Sequence, residues 1–98
     1  MLAERKDRAW HLAIRAATLL KGDYGVERVV LIGSLASGKG FHPRSDIDLV
    51  IWGLDEKKYY QAVGKLLSLD PAFEIDLIEA EYASPYLSRV IEQDGVSL

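Results

Sequence analysis

Asp46, Asp48 and Asp76 are the residues of this chain whose type and spacing most invite chemistry. The first two stand in Ser45-Asp46-Ile47-Asp48-Leu49-Val50-Ile51, the third in Phe73-Glu74-Ile75-Asp76-Leu77-Ile78. Both are short apolar runs that read as strands. A strand buried on one face carries neutral side chains unless something offsets a charge. Carboxylates converging from two strands repel one another, and a divalent cation removes that repulsion. Oxygen donors with no thiolate or imidazole among them suit Mg2+ or Mn2+ rather than zinc.

Two apart on a strand, Asp46 and Asp48 project from one face, while Ile47, Leu49 and Ile51 take the other, toward a core. The same alternation sets Asp76 opposite Ile75 and Leu77, with Glu74 beside it. If the two strands are sheet neighbours, all three aspartates lie on one surface. Two metal ions held there can clamp the attacking and leaving oxygens of an in-line phosphoryl displacement. Gly33-Ser34 supplies the complementary half, at the point where a strand gives way to a short helical turn. Gly33 lets the backbone approach a ligand closely. N–H groups at a helix start, with the Ser34 hydroxyl, form an anion site. Phosphate at one place and metal at the other make a nucleoside triphosphate the natural ligand. Taken singly these signals are weak, since a Gly-Ser after a strand is usually a turn and Asp-x-Asp often solvates a strand start. Their joint placement is the stronger argument.

The elements that must hold these residues follow from periodicity. Residues 2–21 read as a helix, with Leu2, Trp10, Ala13, Ile14, Ala17 and Leu20 at helical spacing and Gly22 and Gly25 marking its end. Val26 to Ile32 reads as a β-branched strand, Leu35 to Ser37 as one helical turn, and Gly38 to Arg44 as a loop. Asp46 to Trp52 is the second strand. Asp55 caps a helix to about Leu69, whose stripe is Tyr59, Ala62, Val63, Leu66 and Leu67. Phe73 to Ala80 is the third strand. Ser84-Pro85 opens a last helix to about Gln93, and Val96-Ser97-Leu98 adds a short edge strand. The order α-β-(α)-β-α-β-α predicts an α/β (α+β) fold with a small mixed β-sheet flanked by helices.

Composition narrows the classes. A chain of 98 residues suits one domain with one core, and about half of it is apolar. With 15 acidic residues against 12 basic ones, the net charge is −3, which argues against direct binding to a nucleic-acid backbone. No cysteine is present, which removes disulfides, thiolate catalysis and zinc–thiolate sites together. The charged N-terminus lacks the apolar centre of a signal peptide, and no apolar stretch is long enough for a membrane span. A cytoplasmic protein is the expectation.

Gly33-Ser34, eleven residues, Asp46-Ile47-Asp48, and a later strand with Asp76 together resemble the nucleotidyltransferase superfamily related to DNA polymerase β. The stretch from Gly33-Ser34-Leu35-Ala36-Ser37-Gly38 through Ser45-Asp46-Ile47-Asp48-Leu49 is especially similar to the minimal nucleotidyltransferases. That resemblance covers nearly the whole chain and implies a single minimal domain over residues 1–98. It implies that Asp46, Asp48 and Asp76 hold Mg2+ or Mn2+, with Asp76 nearest the attacking hydroxyl, and that Gly33 and Ser34 bind ATP. It further implies transfer of AMP to a tyrosine of a HEPN ribonuclease toxin, as the antitoxin of a toxin–antitoxin pair, with that toxin or self-association completing a small surface. A non-catalytic module that caps the toxin, or transfer to a small molecule, is the alternative. One departure stands out. Leu35 and Ser37 occupy places where many minimal members carry a basic residue, leaving Lys39 or Arg44 as substitutes.

Overall fold

In the computed structural model, which describes residues 2–98, helix α1 (Leu2–Tyr24) lies on the sheet by a face of small side chains. Its buried residues are Ala9, Leu12, Ala13, Ala16, Ala17 and Leu20. Leu2 and Ile14, expected in the apolar stripe, are instead 46% and 51% exposed. Alanines carry the contact because a small face lets helix and sheet backbones approach. The helix also runs through Gly22. The stop is Gly25, whose φ of 66° only glycine adopts readily.

Strand β1 (Arg28–Ile32) leads into the single-turn helix α2 (Ser34–Ser37), then a loop, then β2 (Ile47–Trp52). Asp55 accepts the backbone N–H of Lys57 and caps a 3-10 turn that continues into α3 (Tyr59–Leu67). Leu67, expected in the buried stripe of this helix, is half exposed. Strand β3 (Ile75–Glu79) follows, then α4 (Pro85–Asp94) and the two-residue β4 (Val96–Ser97). Ser84 caps α4 through Leu87 N–H at 3.1 Å, with Pro85 in the first turn. Each strand is one to three residues shorter than the run expected for it.

The sheet order is β3-β2-β1-β4, with β2 parallel to β3 and the other pairs antiparallel. One face carries Val29, Leu31, Ile47, Leu49, Ile51, Ile75 and Leu77 into the main core under α1 and α3. On the opposite face, Val30, Ile32 and Val50 pack with Ile78 beneath Leu87, Val90 and Ile91 of α4. The result is a mixed sheet between helical layers, with α4 covering only part of its face. No described helix is long and apolar enough to cross a membrane.

Candidate active site

Three chain segments meet at the end of the sheet that α4 leaves open. β1 finishes there at Ile32, while β2 and β3 begin there. The register sets Ile32 against Asp48 and Asp48 against Asp76, one line across three strands. Strict alternation then puts both aspartates on the face of Val50 and Ile78, away from the main core. Beyond the helical cover, Asp76 is exposed and Asp48 is half-buried.

This proximity has an electrostatic consequence. The Asp48 carboxyl is pushed up to about 6, first by burial, then by the charge of Asp76, a shared-proton contact with it, and the charge of Asp46. Asp46 itself lies one residue before β2. Its approach is set by a turn closed on itself: Ser45 N–H donates to His42 O at 2.9 Å, and His42 N–H donates to Ser45 Oγ at 3.0 Å. Ile47 N–H then donates to Glu74 O at 2.9 Å, joining the lead-ins of both strands.

Gly33 completes the group from the end of β1. Its φ of 85° and ψ of −162° belong to a backbone region that is essentially glycine's alone. A Cβ built there would stand 2.6 Å from Asp48 Oδ2. The main chain therefore passes directly against the carboxylate, which no other residue permits. Ser34 opens α2, closed by Ser37 N–H to Gly33 O and Gly38 N–H to Ser34 O at 3.0 and 2.9 Å. The first N–H groups of this turn precede any intrahelical acceptor and are open to an anion.

The five expected site residues are thus gathered at one end of the sheet, with Asp48 against Gly33 on one side and in register with Asp76 on the other, and Asp46 and Ser34 next to them in sequence. Among the described residues, no set of three or more acidic or histidine side chains forms a ready metal cage. An oxygen-only donor set still fits Mg2+, which binds through one or two carboxylates and completes its octahedron with water and substrate phosphates. Burial lifts the Asp48 carboxyl most, and the repulsion from Asp76 and Asp46 that adds to it is the kind a cation relieves.

Arg44 is exposed and lines a groove with Arg5, Ser45, Asp46 and Glu74. Lys39 is exposed, and its backbone N–H donates to Ser37 Oγ at 3.2 Å. From α1, however, Lys6 Nζ reaches to 3.9 Å of where a Gly38 Cβ would stand. No spacing rule could show this, since residues 6 and 38 meet only by packing.

Comparison with known proteins follows the geometry. The family model described as Polymerase beta, Nucleotidyltransferase matches residues 15–98. None of the curated proteins matches the chain. A chain of a toxin–antitoxin crystal structure with AMP-PNP is 25% identical, over 85% of this chain and 69% of that one, at TM-score 0.68. A mutant of the toxin–antitoxin pair MntA–HpeT is 23% identical over 87% and 70%, at TM-score 0.69. The complex of a tri-AMPylated Shewanella oneidensis HEPN toxin with its MNT antitoxin is 20% identical over 91% and 70%, at TM-score 0.66.

Proposed function

The chain belongs to the polymerase beta nucleotidyltransferase family, and we propose that it transfers AMP from ATP to a tyrosine hydroxyl of a HEPN-type toxin, acting as its antitoxin. One observation carries the reading: Asp48 and Asp76 are register partners, and Gly33 passes against the same carboxylate. Carboxylates and the Gly33-Ser34 turn stand side by side, an arrangement that supports triphosphate chemistry. The similar structures add support, since one was solved with AMP-PNP and another holds an AMPylated toxin.

In this reading Asp46, Asp48 and Asp76 would hold the metal, and Gly33 with Ser34 would bind the triphosphate. When bound, two Mg2+ or Mn2+ ions would lower the pKa of the attacking hydroxyl and stabilise charge on the transferring phosphate. The chain's own residues do the positioning. The N–H groups and hydroxyl at Ser34 seat the phosphates. Asp76, exposed on edge strand β3, faces an incoming hydroxyl and can take its proton as the oxygen bonds to the α-phosphorus. The bond to the β-phosphate breaks and pyrophosphate leaves. Residues 1–98 would act as one minimal nucleotidyltransferase domain. Exposed Tyr60, Tyr82 and Tyr86 give the surface the aromatic character common at protein interfaces.

The test is transfer of label from α-labelled ATP to a co-expressed HEPN protein in the presence of Mg2+. Asp48→Asn is expected to abolish labelling while leaving the fold intact. Full labelling by that variant would refute the assignment. Tight binding without label from the unaltered protein would make the chain a stoichiometric cap.

A further inference from the structure

Two arginines reach the aspartate end of the sheet without a counter-ion. Arg5, from the first turns of α1, and Arg44, from the loop before β2, line a groove of about 310 Å3 with Asp46, Ala72 and Glu74. Among the described residues neither forms an ion pair, with these two acids or with any other. Arg8, one turn further along α1, is instead committed to Asp70 by two contacts at 2.8 Å.

Arg5 is held in place. Its Nη2 donates to Ala72 O at 2.8 Å, and its guanidinium lies 4.1 Å from the centre of the Phe73 ring. Its Nε is buried and has no hydrogen-bond partner. A fixed guanidinium with a donor out of water and no carboxylate beside it is destabilising until an anion arrives. The planar fork of arginine matches a carboxylate best.

The place of the groove distinguishes one anion from another. With the order β3-β2-β1, the Gly33-Ser34 turn lies on the β1 side of β2, whereas Ala72 and Glu74 lead into β3 on the other side. No residue of the turn 33–38 lines the groove. Asp76 follows Glu74 by two residues on β3. The groove is therefore on the side from which the acceptor hydroxyl arrives, away from the triphosphate turn. It is also longer than a phosphate needs. At Arg5 and Pro43 it meets a second hollow of about 480 Å3, where Leu2 and Arg8 join the lining. Leu2 is 46% exposed, an apolar contact beyond the two cations. The plainer role is structural, with Arg5 tying α1 to the lead-in of β3 and Arg44 solvated. That accounts for the Ala72 and Phe73 contacts, but not for two unpaired arginines lining one groove with Asp46.

We propose that this groove seats the acceptor polypeptide, with Arg5 and Arg44 pairing with acidic side chains that flank the acceptor tyrosine. The inference rests on the transferase reading above. It makes both arginines binding residues for the acceptor, not for the nucleotide.

Two short fluorescent peptides test it, each with one central tyrosine, flanked in one by glutamates and in the other by glutamines. Anisotropy titration measures their binding to the unaltered protein, Arg44→Gln, Arg5→Gln, Arg5→Lys and, as a control on α4, Arg89→Gln. Melting curves and calorimetric affinity for Mg2+-AMP-PNP are read for each. The unaltered protein should bind the glutamate peptide roughly tenfold or more tighter than the glutamine peptide. Arg44→Gln should erase most of that preference at an unchanged melting point, because its side chain is exposed and unpaired. Arg5→Gln should erase it as well, and Arg5→Lys should recover only part, having charge without the fork. AMP-PNP affinity should be unchanged in Arg44→Gln, and Arg89→Gln should behave as the unaltered protein. Equal binding of the two peptides, binding of neither, or a preference that survives both glutamine substitutions overturns the proposal. Loss of AMP-PNP affinity in Arg44→Gln, with the peptide preference kept, also overturns it and makes the groove a phosphate site. Transfer of label from α-labelled ATP reads the underlying function separately. Transfer to both peptides with equal efficiency defeats the groove and leaves the transferase. No transfer to either peptide or to a co-expressed HEPN protein, with the binding preference intact, defeats the transferase reading and leaves an acidic-peptide groove.

Discussion

Asp48 is where the cost of the site is concentrated. Its carboxyl is raised to about 6 by burial and by Asp76 and Asp46, against an ordinary value near 3.8. A raised folded-state value means that the fold binds this proton more tightly than the unfolded chain does. The sign follows: stability from this group is fully present below about pH 3.8, declines as the pH rises through about 6, and is absent above. Because the residue is only half-buried, solvent screens the effect. Metal-free protein should therefore lose thermal stability relative to Asp48→Asn between about pH 4 and about pH 7. Added Mg2+ should restore it near neutrality in the unaltered protein but not in the variant. Parallel melting series, with and without Mg2+, read both effects; identical curves for the two proteins would remove Asp48 as the strained group.

Among the elements, the junction between β1 and α2 does the most positioning. Its conformation is open to glycine and to little else, and Asp48 fills the space beside it. Gly33→Ala must strain the backbone and displace the carboxylate. The expected loss of stability is about 1–3 kcal/mol, with triphosphate binding reduced more than the melting point alone would suggest. Denaturant unfolding together with nucleotide titration measures the two. Asp46 shows a different means of placement, a turn tied by His42 and Ser45. The strand alternation was readable, since Ile47, Leu49 and Ile51 are all fully buried. The helix stop was not, because Gly22 tolerates the α conformation and Gly25 adopts the left-handed one.

The whole molecule places its helices unevenly. α1 and α3 cover one sheet face, whereas α4 covers the other only over Val30, Ile32 and Val50, leaving the aspartate end open. The α1 side is packed through alanines, so its spacing from the sheet leaves no room for larger side chains. Ala16, fully buried, tests this: Ala16→Leu should cost about 1–3 kcal/mol by overpacking. Denaturant unfolding of the two proteins measures the loss.

The sequence by itself determined the order of elements, the shared direction of Asp46 and Asp48, and the glycine required at the end of β1. These depend on local geometry: the two-residue period of a strand, the caps of helices, and the torsions open to each residue type. Only the tertiary structure decided that β2 and β3 are parallel neighbours, that Asp48 and Asp76 are paired in register, and that Gly33 touches the Asp48 carboxylate. It alone separated Leu2 and Ile14 from the core and brought Lys6 to Gly38. Such relations join residues far apart in the chain. They are set by which packing of all the elements buries the most apolar surface, and no local spacing records that choice.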